Sequence, residues 1–153
     1  MLFRSLLRER GQEFDLIYIT RYTVATGALP LIARHAPKAR LLFCNADLHH
    51  LRELRAARAL QLEGDAAERA LAQVREVQQQ ELAVIQQVHL TFSYSEVERA
   101  VIEAETLGAA PTAACPWVVQ GPEQPAPLEG RSGLAFLGSY DHPPNRSEEH
   151  TSE

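Results

Sequence analysis

A chain of 153 residues with a net charge of −5 is long enough for one domain with a sizeable core. That charge argues against a nucleic-acid binder, which usually carries a concentrated basic surface. Hydrophobic residues make up 45% and charged residues 23%, an ordinary balance for a folded soluble domain, and no apolar run reaches the roughly 18 residues that cross a bilayer.

The start, MLFRSLLRERG, is too short in its apolar part and too charged for a secretory signal, so the cytoplasm is the expected location. Leu2 to Arg10 reads as a short amphipathic helix with Leu2, Phe3, Leu6 and Leu7 on one face, stopped by Gly11. FDLIYIT, rich in β-formers, suits a strand buried on both faces. RYTVATGALPLIARHAP crosses back partly as helix, with Pro30 placed in a first turn. ARLLFCN is a second buried strand.

Asp47 then caps a helix starting at Leu48, with Leu48, Leu51 and Leu54 inward. EGD breaks it, and Asp65 with Glu68 forms a capping box for a long helix striped by Ala70, Leu71, Val74 and Val77. QQQE interrupts that stripe before Leu82, Ile85 and Val88 resume it. HLTFSYS is a third strand. Ser95 and Glu98 give a second capping box, with Val97, Ala100, Val101, Ala104 and Leu107 along one face until Gly108. TAACPWVVQ is a fourth strand holding Trp117 in the core.

Strands alternating with helices of this length specify an α/β fold, a Rossmann-like parallel sheet with flanking helices and right-handed crossovers. That unit covers residues 1–119. Residues 120–132, GPEQPAPLEGRS and its neighbours, read as a linker. Residues 133–145 bring one more strand, GLAFLG, and a loop; since a strand is not stable alone, they read as the opening of a second domain. Residues 146–153, RSEEHTSE, have no apolar group and are expected to be disordered. This string resembles the in-frame translation of a ligation adapter from short-read DNA libraries, which would put the native end near Asn145; the plain alternative is a polar tail. Cys44 and Cys115 lie in apolar stretches and read as buried free thiols.

NADLHHLR sits at the carboxyl end of the second strand and opens a helix, where open α/β sheets collect ligands. Helix amides there can take an anion or a sugar hydroxyl. His49 and Arg52 share a face, and the Arg52 guanidinium can fork to a phosphate or carboxylate. The bland reading makes Asp47 a cap and the rest a solvated face. Arg21 follows the first strand, where it could line the same edge, although a solvated loop is the plainer reading. Asp47, His49 and His50 do not make a metal site, because adjacent histidines diverge and no fourth ligand is near. In GSYDHPPN, Gly138 permits close backbone approach and His142 stands on a proline-stiffened loop, which could equally be a turn.

Three stretches, FDLIYITRYTVA, ARLLFCNADLHHLRELR and GLAFLGSYDHPPN, resemble the retaining family 1 glycosyltransferases of the GT-B fold, across residues 2–145. The resemblance implies a transferase fragment holding most of the N-terminal, acceptor-side domain and the first strand of the donor-binding domain. Gly138, His142 and Asn145 then match a donor-side loop, and Arg21, Asp47, His49 and Arg52 fall on the substrate side. It implies a nucleotide-sugar donor and an unidentified acceptor as partners of the full-length parent, neither metal nor cofactor, and an isolated chain without activity. The family's glycine-rich loop after its first strand has no counterpart ahead of Leu2. The alternative is a non-catalytic α/β ligand-binding or receiver-like module. A receiver would cluster acids at its strand ends, where Asp47 stands alone, and would not end on a linker and an orphan strand.

Overall fold

The computed structural model describes residues 2–116 and, beyond them, 118, 121, 127, 129, 130, 132 and 133. The chain divides into two units, residues 1–118 and 119–153. Trp117, GLAFLG beyond Gly133, Gly138, His142, Asn145 and the RSEEHTSE tail lie outside the described residues.

The first unit runs α1 (Leu2–Arg10), a short 3-10 turn (Gly11–Glu13), β1 (Leu16–Thr20), α2 (Tyr22–His35), β2 (Arg40–Cys44), α3 (His49–Ala59), α4 (Gly64–Ile85), β3 (Leu90–Ser93), α5 (Glu96–Glu105) and β4 (Thr112–Ala114). All four strands pair in parallel in the order β1-β2-β3-β4. Parallel neighbours cannot be joined by a tight turn, so each connection carries a helix or a pair of helices. The fold is the Rossmann-like α/β arrangement that the strand–helix alternation predicts.

β1 and β2 pair from Leu16 opposite Arg40 to Thr20 opposite Cys44. Alternation along a strand therefore sets Ile17, Ile19, Leu41 and Phe43 on one face. Ile19 and Phe43 join Leu7, Leu29, Ile32, Val77, Val84, Ile85 and Ile102 in one core cluster, with Ile17 and Leu41 packed against it. The opposite face of β1 is open: Leu16 and Tyr18 are 52% and 51% exposed, and the Tyr18 ring centroid lies 6.5 Å from that of Phe92. The expectation of a first strand buried on both faces is thus corrected. β1 ends the strand order, and only its Ile17–Ile19 side meets the helices.

Several helix details also differ from expectation. On α1, Leu7 is buried while Phe3 and Leu6 are exposed. Gly11 is required for contact, because a Cβ there would stand 2.4 Å from the His35 carbonyl oxygen. Pro30 falls inside α2 and not in its first turn. The box of Asp65 and Glu68 does not form; α4 starts at Gly64, with positive φ of 56°, and has no side-chain cap. Nor does QQQE interrupt anything: α4 is continuous to Ile85, and Glu81 is buried in line with Val74, Val77, Val84 and Ile85.

On α5, Ser95 is the N-cap and its Oγ accepts from the Glu98 amide at 3.4 Å. Ile102 is the fully buried residue of that helix and Val101 packs against the core as expected, whereas Val97 is exposed and Leu107, past the helix end, is 94% exposed. The inner face is displaced from the expected apolar one because it carries Glu98 and Glu105 beside Ile102. Cys44 is buried, but Cys115 is exposed, so only one thiol is a core residue. No helix among the described residues is long and apolar enough to cross a membrane.

Candidate functional site

At the carboxyl edge of the sheet, Thr20 lies opposite Cys44 and Cys44 opposite Phe92. The loops leaving β1, β2 and β3 therefore emerge side by side. Two non-glycine residues there hold positive φ, Arg21 at 67° and Ala46 at 62°, at a cost on the order of 1–3 kcal/mol each. Local backbone bonds fix them: the Arg21 amide donates to the Cys44 carbonyl at 3.1 Å, Asn45 to Phe92 at 3.3 Å and Asp47 to Asn45 at 2.8 Å.

α3 begins from this loop, with Leu48 as its N-cap and no side-chain cap. The first amides of a helix have no partner within it. Here two other helices supply them. The Leu48 amide donates to Glu98 Oε1 of α5 at 3.3 Å, the His49 amide to Glu81 Oε1 of α4 at 2.8 Å, and the His50 amide to Glu81 Oε2 at 3.0 Å. Carboxylates at the positive end of the helix dipole are well placed electrostatically. Asp47, expected as the cap, instead receives Arg52 Nη1 on its Oδ2 at 2.6 Å. The amides expected to take an anion or a sugar hydroxyl are thus filled by the protein's own carboxylates.

The two histidines divide between surface and interior. His49 turns Nδ1 toward Glu81 Oε1 at 3.2 Å and the Asp47 carbonyl at 3.2 Å, and its ring meets the edge of Tyr22 with centroids 5.0 Å apart. His50 is buried, its Nδ1 2.7 Å from Glu81 Oε2. Both His50 and Glu81 are only 2% exposed. Burial pushes the Glu81 carboxyl upward, but the His50 ring and the amides of His50 and His49 outweigh it and hold it below the usual carboxylate range. For His50, burial lowers the pKa and the Glu81 and Glu105 carboxylates more than restore it, leaving it raised. Burial, then the Glu81 and Glu53 charges, raise the Tyr22 phenol.

Of the residues singled out in the sequence, Asp47, His49 and Arg52 come together, and Arg21 stands on the neighbouring strand end with its side chain exposed. The Asp47 and Arg52 side chains are 40% and 41% exposed, so this pair is the accessible part of the edge. Asn45 is buried with its amide donating to Glu98 Oε2 at 3.3 Å. Glu81, Glu98, Glu105 and His50 are absent from the sequence-derived site, and they organise the whole start of α3. The available signal is Glu81 lying four residues after Val77 and four before Ile85, an acid in an apolar stripe.

Among the described residues no group of three or more His, Cys, Asp or Glu side chains is arranged to hold a metal ion. A groove of about 220 Å³ lined by residues of α2, α4 and the turn after α4, including Thr26, Pro30, Gln80 and Gln87, contains none of the site residues. No family model, curated protein or solved structure matches the chain.

Proposed function

We propose that this chain forms the acceptor-facing part of a glycosyltransferase of the GT-B type, in which a sugar passes from a nucleotide donor to a hydroxylated acceptor. The observation that carries the reading is the half-exposed Asp47–Arg52 pair beside His49, on a backbone held in unusual conformations at the carboxyl edge of a parallel sheet. Fixed polar groups in that position suit hydroxyl recognition. The carboxylates of Glu81 and Glu98 beneath them repel a diphosphate, which supports the acceptor over the donor as the ligand of this edge. The resemblance of the three quoted stretches supplies the reaction type. Groups that stabilise the leaving diphosphate belong, on this reading, to the donor domain.

A second reading, a non-catalytic ligand-binding module, is favoured by the way Glu81 and Glu98 occupy the α3 amides internally. Long-read sequencing across the Asn145 codon separates the two, since the transferase reading requires a further α/β domain there. For the site itself, saturation-transfer NMR on the purified chain with methyl glycosides, and separately with UDP and GDP, is the direct test. Glycoside signals should appear and should weaken about tenfold in Arg52→Ala, a loss of about 1.4 kcal/mol. Nucleotide binding that Arg52→Ala abolishes would overturn the acceptor assignment, as would glycoside binding that neither His49→Ala nor Arg52→Ala reduces.

A further inference from the structure

Behind the start of α3, His50 lies between carboxylates from two different helices. Its Nδ1 is 2.7 Å from Glu81 Oε2 on α4, and its Nε2 is 3.5 Å from Glu105 Oε1, the last residue of α5. The His50 side chain is 3% exposed and that of Glu105 is 23% exposed, so water does little to relieve whatever charge the ring carries.

Acidic side chains reach this region from α4 and α5. From α4 come Glu81 and Gln78, whose Nε2 donates to Glu105 Oε1 at 2.8 Å. From α5 come Glu105 and Glu98, the latter accepting from the Leu48 amide at 3.3 Å. On α3 itself His49 shares Glu81, with Nδ1 3.2 Å from Oε1. From α2, Tyr22 packs against His49, and the Glu81 charge acts on its phenol.

A neutral imidazole has one N–H, and Glu81 claims it at Nδ1. The Nε2 lone pair then faces Glu105 Oε1, an oxygen that already accepts from Gln78, with no hydrogen between the two. His50 Nε2 is buried without a hydrogen-bond partner, as is Oε2 of the same Glu105 carboxylate, a costly condition for polar atoms. One added proton at Nε2 makes both ring nitrogens donors and gives each of the two carboxylates a cation to face.

We propose that His50 is a proton-closed latch: as imidazolium it ties α3 to both α4 and α5, and on losing the proton it lets go of Glu105 and the end of α5. Burial opposes the charged ring, yet the two carboxylates prevail and raise its pKa above the ordinary 6.5. A raised folded-state value gives stability that is complete below 6.5 and is lost as pH rises through the folded value. Because Glu98 on the same α5 holds Leu48 and Asn45, opening the latch also loosens the edge that carries Asp47, His49 and Arg52.

The test is NMR titration of the full chain labelled at histidine Cε1, with His50 assigned by His50→Gln, alongside urea unfolding from about pH 6 to about pH 9. The His50 midpoint should lie above 6.5, and stability should fall with rising pH across it. In Glu105→Gln, whose amide can donate to the neutral ring, the midpoint should drop by about one pH unit and the stability profile should flatten. A wild-type midpoint at or below 6.5 overturns the proposal by itself, even if the variant does not fold. A midpoint unmoved in folded Glu105→Gln overturns it equally.

Discussion

Replacing Glu81 with glutamine keeps the shape of the side chain and removes its charge. In the native chain Glu81 Oε2 accepts from the His50 amide at 3.0 Å and from His50 Nδ1 at 2.7 Å, while Oε1 accepts from the His49 amide at 2.8 Å. The best placement of the glutamine leaves its carbonyl on the two His50 donors and turns its NH2 toward the His49 N–H. One buried amide then faces another donor, a loss of about 1–3 kcal/mol. His50 also loses its nearest carboxylate in a site that is 2% exposed, which brings the total to about 3–5 kcal/mol. Against a domain stability of about 5–15 kcal/mol that is a large fraction. Urea unfolding followed by circular dichroism near pH 6 measures it, with Glu76→Gln, exposed on the same helix, as a control within about 0.5 kcal/mol. Because the Glu81 carboxyl is held low, its contribution is present above the ordinary carboxylate value and is lost as pH falls through the folded value. The gap between wild type and Glu81→Gln should therefore close in acid. A loss below about 1 kcal/mol near pH 6 would refute the claim that this carboxylate organises the start of α3.

Leu48 is fully buried and Leu51 only partly so; Leu48→Ala should cost about 2–5 kcal/mol in urea unfolding and Leu51→Ala distinctly less. Gly11→Ala forces a Cβ to within 2.4 Å of the His35 carbonyl oxygen and 2.8 Å of its carbon. It should cost about 1–3 kcal/mol, seen as a lower melting temperature, and an unchanged melting temperature would show that the α1–α2 junction yields freely.

The sequence disclosed much of the frame. The span Leu2–Arg10 is found as written, ARLLFCN supplies β2, and Ser95 caps α5. These features are local, set by alternation, periodicity and capping within a few residues. The interior of the site is not local. Glu81, Glu98 and Glu105 sit on inward faces of α4 and α5, where a search for apolar periodicity assigns acids to solvent and so shifts or splits the stripe. That is why QQQE looks like an interruption and why Val97 and Leu107 displace Ile102 in a reading by periodicity. Asp47 illustrates another case: its position suits an N-cap, but its carboxylate pairs with Arg52 five residues on, while the α3 amides are taken by distant Glu81 and Glu98. Leu16 and Tyr18 look buried in the sequence because β-forming character does not reveal whether both faces of a strand are covered.

The consecutive strand order has a consequence for the order of folding. Each strand docks beside the one that precedes it in sequence, so β1, α2 and β2 meet with little chain to close. α3 follows immediately in sequence but cannot be finished on the same schedule. Its His49 and His50 amides wait for Glu81, 32 and 31 residues downstream, and its Leu48 amide waits for Glu98, 50 residues downstream. Pairing of β1 with β2 thus needs only residues 16–44, whereas the start of α3 needs Glu81 and Glu98 as well, so the sheet edge can form before the site does.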